Sequence, residues 1–263
     1  MNNLFRRFFL ALSFLTTLPF SSLITKQETK APEDIDADLS KSSTFFPLIG
    51  FLLGAILFIF NKFLEYTDIL PQLSTGLTLV LWVLLSGGLH LEGLADMVDG
   101  FSGGTNKDEI LRIMKDGSVG AKGAISLILT LLLKYLLLYS LTGDIKGKAL
   151  LLSPVLGRWA MVLMGYFGKP ASSSNTLTRM FVQYLEKKEL LIATFFAVCP
   201  VLFILPVRFI PPGSLLWFII GVLVAFLLVF SNKKIGGICG DIIGAANELA
   251  ELAVLFFFLL ILR

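Results

Sequence analysis

Three carboxylates spaced for one helix face stand in the stretch GGLHLEGLADMVDG at 87–100: Glu92, Asp96 and Asp99, at i, i+4 and i+7. On an α-helix that spacing brings the three side chains onto one stripe. Like charges so placed repel, and a cation among them relieves the repulsion. Mg²⁺ suits such a set, because it binds through a few carboxylates and completes its shell with water and substrate phosphate. Glu92, Asp96 and Asp99 are therefore expected as metal ligands and as catalytic acids. The competing reading, a solvated helix end just past a membrane, is weaker because acids in or beside a membrane are costly and usually functional. His90, the single histidine of the chain, lies two residues before Glu92 and is a candidate proton acceptor.

A second stretch, GGICGDIIGAANELAE at 236–251, repeats the arrangement with Asp241 and Glu248 seven residues apart, and adds Asn247 and Glu251 as an i, i+4 pair. A glycine-rich turn leading into a helix suits a phosphate or a cation; ordinary helix packing through small residues is the alternative. Asp241 and Glu248 are expected as further metal ligands and Asn247 as a substrate contact. A third stretch, RIMKDGSVGAKG at 112–123, offers Arg112, Lys115 and Asp116 beside the first acidic helix. Cations next to a metal–carboxylate site suit an anionic substrate such as a diphosphate. For Lys122 the plainer reading, positive charge at a helix start, is preferred. Arg158 stands in mid-segment, where an arginine faces a bundle interior; it is expected to face the acidic cluster or a substrate anion. Lys134, nearer a segment end, is expected to snorkel. The two acidic stripes are expected to line one cavity, with the pairs Gly87-Gly88 and Gly236-Gly237 letting the helices approach.

The elements that must position these residues are membrane helices. Hydrophobic residues make up 56% of 263 positions, charged ones 16%, and mean hydropathy is +0.83. A soluble domain is nearer about a quarter charged. Seven segments meet the length needed to span a bilayer: roughly 46–64, 73–91, 122–142, 148–167, 189–208, 213–231 and 246–262. Residues 1–20 carry Arg6 and Arg7 before an apolar run without a small-residue cleavage site, and are expected to form an interfacial or re-entrant helix. The expected fold is thus all-α, a polytopic transmembrane bundle of about seven spans in one domain, 1–263, with a charged loop at 25–43. Assigning the loops alternately puts 15 Lys and Arg on the N-terminal side, against five opposite. The positive-inside rule makes the N-terminal side cytoplasmic. Both acidic stretches fall there, in a multi-pass protein of the cell (inner or plasma) membrane. A net charge of +3 excludes a nucleic-acid binder, and Cys199 and Cys239 lack the spacing of a zinc site or a disulfide framework.

Taken together, GGLHLEGLADMVDGFSGG, IMKDGSVGAKGA and GGICGDIIGAANEL resemble the cobalamin synthase family, the adenosylcobinamide-GDP ribazoletransferases. SFLTTLPF at 13–20 and FFPLIGFLLG at 45–54 resemble its N-terminal features, so the likeness runs through most of the chain in order. Glu92 stands where the family more commonly has Asp, and Thr17 where it has a basic residue. The resemblance implies transfer between adenosylcobinamide-GDP and α-ribazole, or its 5′-phosphate, with Mg²⁺ and release of GMP, and other cobalamin-assembly enzymes as candidate partners. Spacing alone supports metal-dependent transfer at a diphosphate. Two other classes fit acidic membrane helices: a CDP-alcohol phosphotransferase or prenyltransferase-like enzyme, and an ion-coupled transporter. The DGxxAR pattern of the CDP-alcohol enzymes fails here, because Asp99-Gly100 is followed by Phe101-Ser102-Gly103-Gly104.

Overall fold

A computed structural model describes residues 3–19, 38, 40–171, 176–205 and 210–261. Among these residues the chain forms eleven α-helices: α1 Asn3–Leu15, α2 Phe46–Tyr66, α3 Pro71–Ser86, α4 Leu89–Gly103, α5 Lys107–Met114, α6 Ala121–Ser140, α7 Gly143–Phe167, α8 Thr176–Gln183, α9 Lys187–Ile204, α10 Ile210–Ile235 and α11 Gly240–Ile261. Extended pairing among them is limited to a parallel bridge between Pro170 and Ile238. The all-helical membrane fold is the one the composition calls for. Five helices are long and apolar enough to cross a bilayer: the stretch Ser40–Tyr66 through α2, then α6, α7, most of α10, and α11; the bent pair α3–α4 makes six. The remaining expected segment, 189–208, overlaps α9, whose first turn carries Lys187, Lys188 and Glu189 and is too charged to meet the same standard. Residues 25–37 and 39 of the expected loop, with Lys26 and Lys30, lie outside the described residues, as do Arg208 and Arg263.

The bundle is built around α7, buried along most of its length and packed between α2 and α11. Gly50 and Gly54, one turn apart, let α2 come against the α7 backbone; a Cβ at Gly54 would stand 2.6 Å from Leu151 O and 2.8 Å from Leu150 O. Pro154 inside α7 has no N–H to give the Leu150 carbonyl, and Gly54 presses its backbone against that same oxygen. Small residues spaced four apart serve membrane helices this way, since close backbone approach supplies the packing that hydrophobicity cannot.

One break positions the first acidic stretch. The expected span 73–91 is not continuous: α3 stops at Ser86, and α4 leaves it at 85°. Gly87 and Gly88, at φ of +63° and +70°, make the turn in a region that other residues avoid. Thr17 pins the turn from outside, its amide donating to Leu85 O at 2.9 Å and its hydroxyl to Leu84 O at 2.9 Å. At 13 residues, α1 is too short to span a bilayer. It lays Ala11, Leu12 and Leu15 on the bundle, and Arg6 and Arg7 each reach Asp38 at 3.0 Å.

Candidate active site

The two acidic helices meet. α4 and α11 cross at Gly93 and Gly244: a Cβ at Gly93 would lie 2.9 Å from Asp241 O, and one at Gly244 would lie 3.3 Å from the His90 Cα. These glycines, and not the two pairs expected, allow the approach. Gly87-Gly88 form the α3–α4 turn, while Gly236 has φ +76° and Gly237 lies against Lys169–Ala171, where Ile238 N donates to Lys169 O and Ala171 N to Ile238 O. The crossing brings Glu92, Asp96 and Asp241 to one rim. Asp96 feels the charges of Asp241, Glu92 and Asp99, and Asp241 that of Glu92. Glu92 is exposed and Asp96 and Asp241 are partly buried. Among the described residues, the carboxylates of Glu92 and Asp96 carry no hydrogen bond or ion pair.

Asp99 is placed differently from the expectation of a metal ligand. Its Oδ2 accepts the Gly120 N–H at 2.7 Å and its Oδ1 the Gly123 N–H at 2.8 Å. Both oxygens are thus committed to the start of α6, where amides lack intrahelical partners and an anion is favoured. Only glycine fits at either position: a Cβ on Gly120 would lie 2.6 Å from Asp99 Oδ1, and one on Gly123 would strike Oδ2. The glycines of the third stretch therefore make room for this carboxylate.

Glu248 and Asn247 also find partners other than those expected, while Arg158 meets a carboxylate of the second acidic stretch. Glu248 accepts from Lys134 Nζ at 2.6 Å, and the same lysine reaches Glu251 at 2.5 Å. Arg158, fully buried, pairs with Glu251 through Nη1. Asn247 donates to Glu251 at 3.1 Å and to Glu248 at 3.3 Å. Two cations and two anions thus neutralise one another in the core, joining α6, α7 and α11. Lys134 does not snorkel: it is 3% exposed, with its ammonium 4.8 Å from the Trp82 ring centre. Arg158 pairs with Glu251 and with no carboxylate of the rim, and Glu248 sits about two turns down α11 from Asp241, engaged by Lys134.

His90 is 2% exposed, and neither ring nitrogen has a hydrogen-bond partner. It lines a cavity of about 210 Å³ between α1, α2, α4, α7, α8 and α11 that also touches Asp241. Arg112, Lys115 and Asp116 gather with Asp108 around a separate surface hollow on α5. Lys107, unremarked in the sequence except as a charge, is the cation that leans over the α11 turn: its Nζ lies 3.1 Å from where a Gly236 Cβ would stand. The aromatic lining of the cavity (Phe14, Phe46, Phe181) was equally unmarked, because phenylalanine in a membrane chain reads as packing.

The rim suits a hard cation. Its donors are carboxylate oxygens; beside them, burial, and then the Asp241 charge, push the Cys239 thiol up to about 12. Among the described residues no three His, Cys, Asp or Glu side chains converge into a ready cage. Mg²⁺ takes one or two protein carboxylates and leaves the rest of its shell to water and phosphate, so the rim carboxylates are the residues that would hold it.

Comparison with known proteins agrees with the resemblance of the motifs. The family described as Cobalamin-5-phosphate synthase matches residues 7–259. Curated relatives called adenosylcobinamide-GDP ribazoletransferase include one from Clostridium kluyveri, 32% identical over 96% of this chain and 95% of its own. One from Pseudomonas putida is 36% identical over 94% and 95% of the two chains, and one from Chlorobaculum parvum 38% identical over 84% and 87%. No solved structure matches the chain. With the match running from the end of the first helix turn through the acidic rim to α11, the chain belongs to the cobalamin-5-phosphate synthase family.

Proposed function

We propose that the chain transfers the cobinamide phosphoryl group of adenosylcobinamide-GDP to α-ribazole, or its 5′-phosphate, with release of GMP, on the cytoplasmic side of the cell membrane. The observation that carries the reading is the convergence of Glu92, Asp96 and Asp241, from stretches about 150 residues apart, on one rim at the α4–α11 crossing. A ribose hydroxyl attacks the phosphorus next to the cobinamide arm. The new O–P bond forms, the P–O bond of the diphosphate bridge breaks, and the bridging oxygen leaves with GMP. Such a transfer calls for positioning and charge neutralisation more than for covalent help from the protein. One or two of Glu92, Asp96 and Asp241 would hold Mg²⁺, which supplies charge neutralisation to the diphosphate. Glu92 and Asp96, both free of hydrogen bonds, are the rim carboxylates open to the hydroxyl proton. His90 lies in the cavity wall, behind the rim. Lys107 adds positive charge beside the α11 turn, and Arg112 and Lys115 stand on the adjoining α5 surface. The 15-to-5 division of Lys and Arg supports the cytoplasmic assignment.

The test is purified full-length chain in nanodiscs with adenosylcobinamide-GDP, α-ribazole and Mg²⁺, followed by mass spectrometry. The cobalamin product and GMP should appear in equal amounts and vanish on chelation. Product formation that ignores chelation would remove the metal, and absence of GMP would remove the reaction.

A further inference from the structure

We propose that the cavity behind Asp241 is the seat of the aromatic base of the nucleoside substrate, with His90 as its polar contact; this rests on the transfer reaction proposed above. Three features single it out. First, its wall is flat and aromatic. Phe46 stands between Phe14 and Phe181, the ring centres 5.9 and 5.8 Å away and the planes inclined by only 17° and 16°. Aromatic planes so aligned accept a further planar ring by offset stacking. Leu89, Met161 and Ile243 close the remainder with apolar surface. Second, at about 210 Å³ the space is below the usual range for a whole drug-sized ligand, so it suits one ring system and excludes a corrin. Third, His90, 2% exposed, brings two unpartnered ring nitrogens to this wall. A buried polar group without a partner is costly. A benzimidazole joined to ribose through one nitrogen has one acceptor nitrogen left and no N–H of its own. The single N–H of a neutral imidazole matches that acceptor.

The cavity also has the right neighbour. Asp241 belongs both to its lining and to the acidic rim, so a base seated inside leaves the attached ribose at the rim where phosphoryl transfer takes place. The sequence makes the slot deliberately open. Gly165 on α7 admits the Phe181 ring, since a Cβ there would strike it. Ser40 Oγ donates to Phe181 O at 2.9 Å, fixing the end of α8 that carries the ring.

The probe is free 5,6-dimethylbenzimidazole, a base without ribose, added to the full chain in nanodiscs and measured by equilibrium dialysis and as an inhibitor of transfer. It should bind and compete with the nucleoside but not with adenosylcobinamide-GDP. Phe181→Leu and His90→Gln, checked for an unchanged melting temperature, should each weaken base binding by roughly 10- to 100-fold. Each should raise KM for the nucleoside alike, with KM for the GDP-bearing substrate at its wild-type value. Base binding that is absent, or equal in wild type and both variants, overturns the proposal. So does binding that falls with added lipid yet ignores His90→Gln, because the cavity would then hold an acyl chain. Binding that follows the variants in a chain that releases no GMP would sink the transfer reaction and leave the base site standing.

Discussion

Replacing Asp99 by alanine should unfasten a helix, whereas replacing its neighbour Asp96 should stop chemistry. The Asp99 carboxylate is 9% exposed and accepts two backbone N–H groups at 2.7 and 2.8 Å. A hydrogen bond to a charged partner contributes about 1.5–3 kcal/mol. Loss of both, in a site with little room for water, predicts a destabilisation of about 3–6 kcal/mol. For a chain of this size that is a drop in Tm on the order of 10 °C. The assay is thermal unfolding of the purified variant in nanodiscs, alongside GMP release measured well below its Tm. Asp99→Ala should melt early and retain turnover per folded molecule within about tenfold. An Asp99→Ala chain that melts like wild type but has lost turnover would refute the reasoning and return Asp99 to the metal site.

Three other outcomes follow from the same geometry. Asp96→Ala removes a side chain without a hydrogen bond from among three like charges, so its Tm should stay within about 2 °C of wild type; its rate of GMP release should fall at least about 100-fold. Glu251→Gln leaves Lys134 and Arg158 short of a counter-charge in the core and should cost about 3–5 kcal/mol. The double variant Glu251→Gln, Arg158→Met should recover part of that loss, and a cycle with no coupling would show that the pair does not act as one. Gly93→Ala puts a methyl 2.9 Å from Asp241 O and should force α4 and α11 apart. About 1–3 kcal/mol of stability should go with it, together with most turnover, and unchanged kinetics would detach the crossing from the site.

The rim was legible in the sequence because its signal is local. Glu92 and Asp96 lie one turn apart, and Asp241 opens a helix after a glycine turn, so each half could be read separately and matched. What the spacing could not say was which glycines did which job. Gly87-Gly88 and Gly236-Gly237 look like packing pairs, yet their positive φ or contact with a neighbouring strand-like segment assigns them to turns, and the crossing falls to Gly93 and Gly244, which carry no mark in a small-residue-rich helix. The partners of Glu248 and Arg158 were hidden for a different reason. An i, i+7 carboxylate looks the same whether a metal or a lysine faces it, and the lysine that faces Glu248 is 114 residues away. Asp99 shares the stripe of Asp96, but its partners are backbone amides, which no residue pattern displays. The bend after Ser86 likewise hides in hydropathy, because α3 and α4 are apolar on both sides of it.

The buried quartet of Lys134, Arg158, Glu248 and Glu251 imposes an order on biogenesis. Synthesis runs from the N-terminus, so α6 and α7 are made first, and the carboxylates that neutralise their cations follow 114 and 93 residues behind. An unpaired Lys or Arg at the centre of an inserting helix costs about 2.5–3.5 kcal/mol. Until α11 is made, α6 and α7 are therefore poorly at home in lipid and are best retained beside the insertion machinery. A chain that stops short of Glu248 keeps two naked cations in the membrane, a ready mark for proteolytic disposal, so the last described helix closes the fold and certifies that translation reached it.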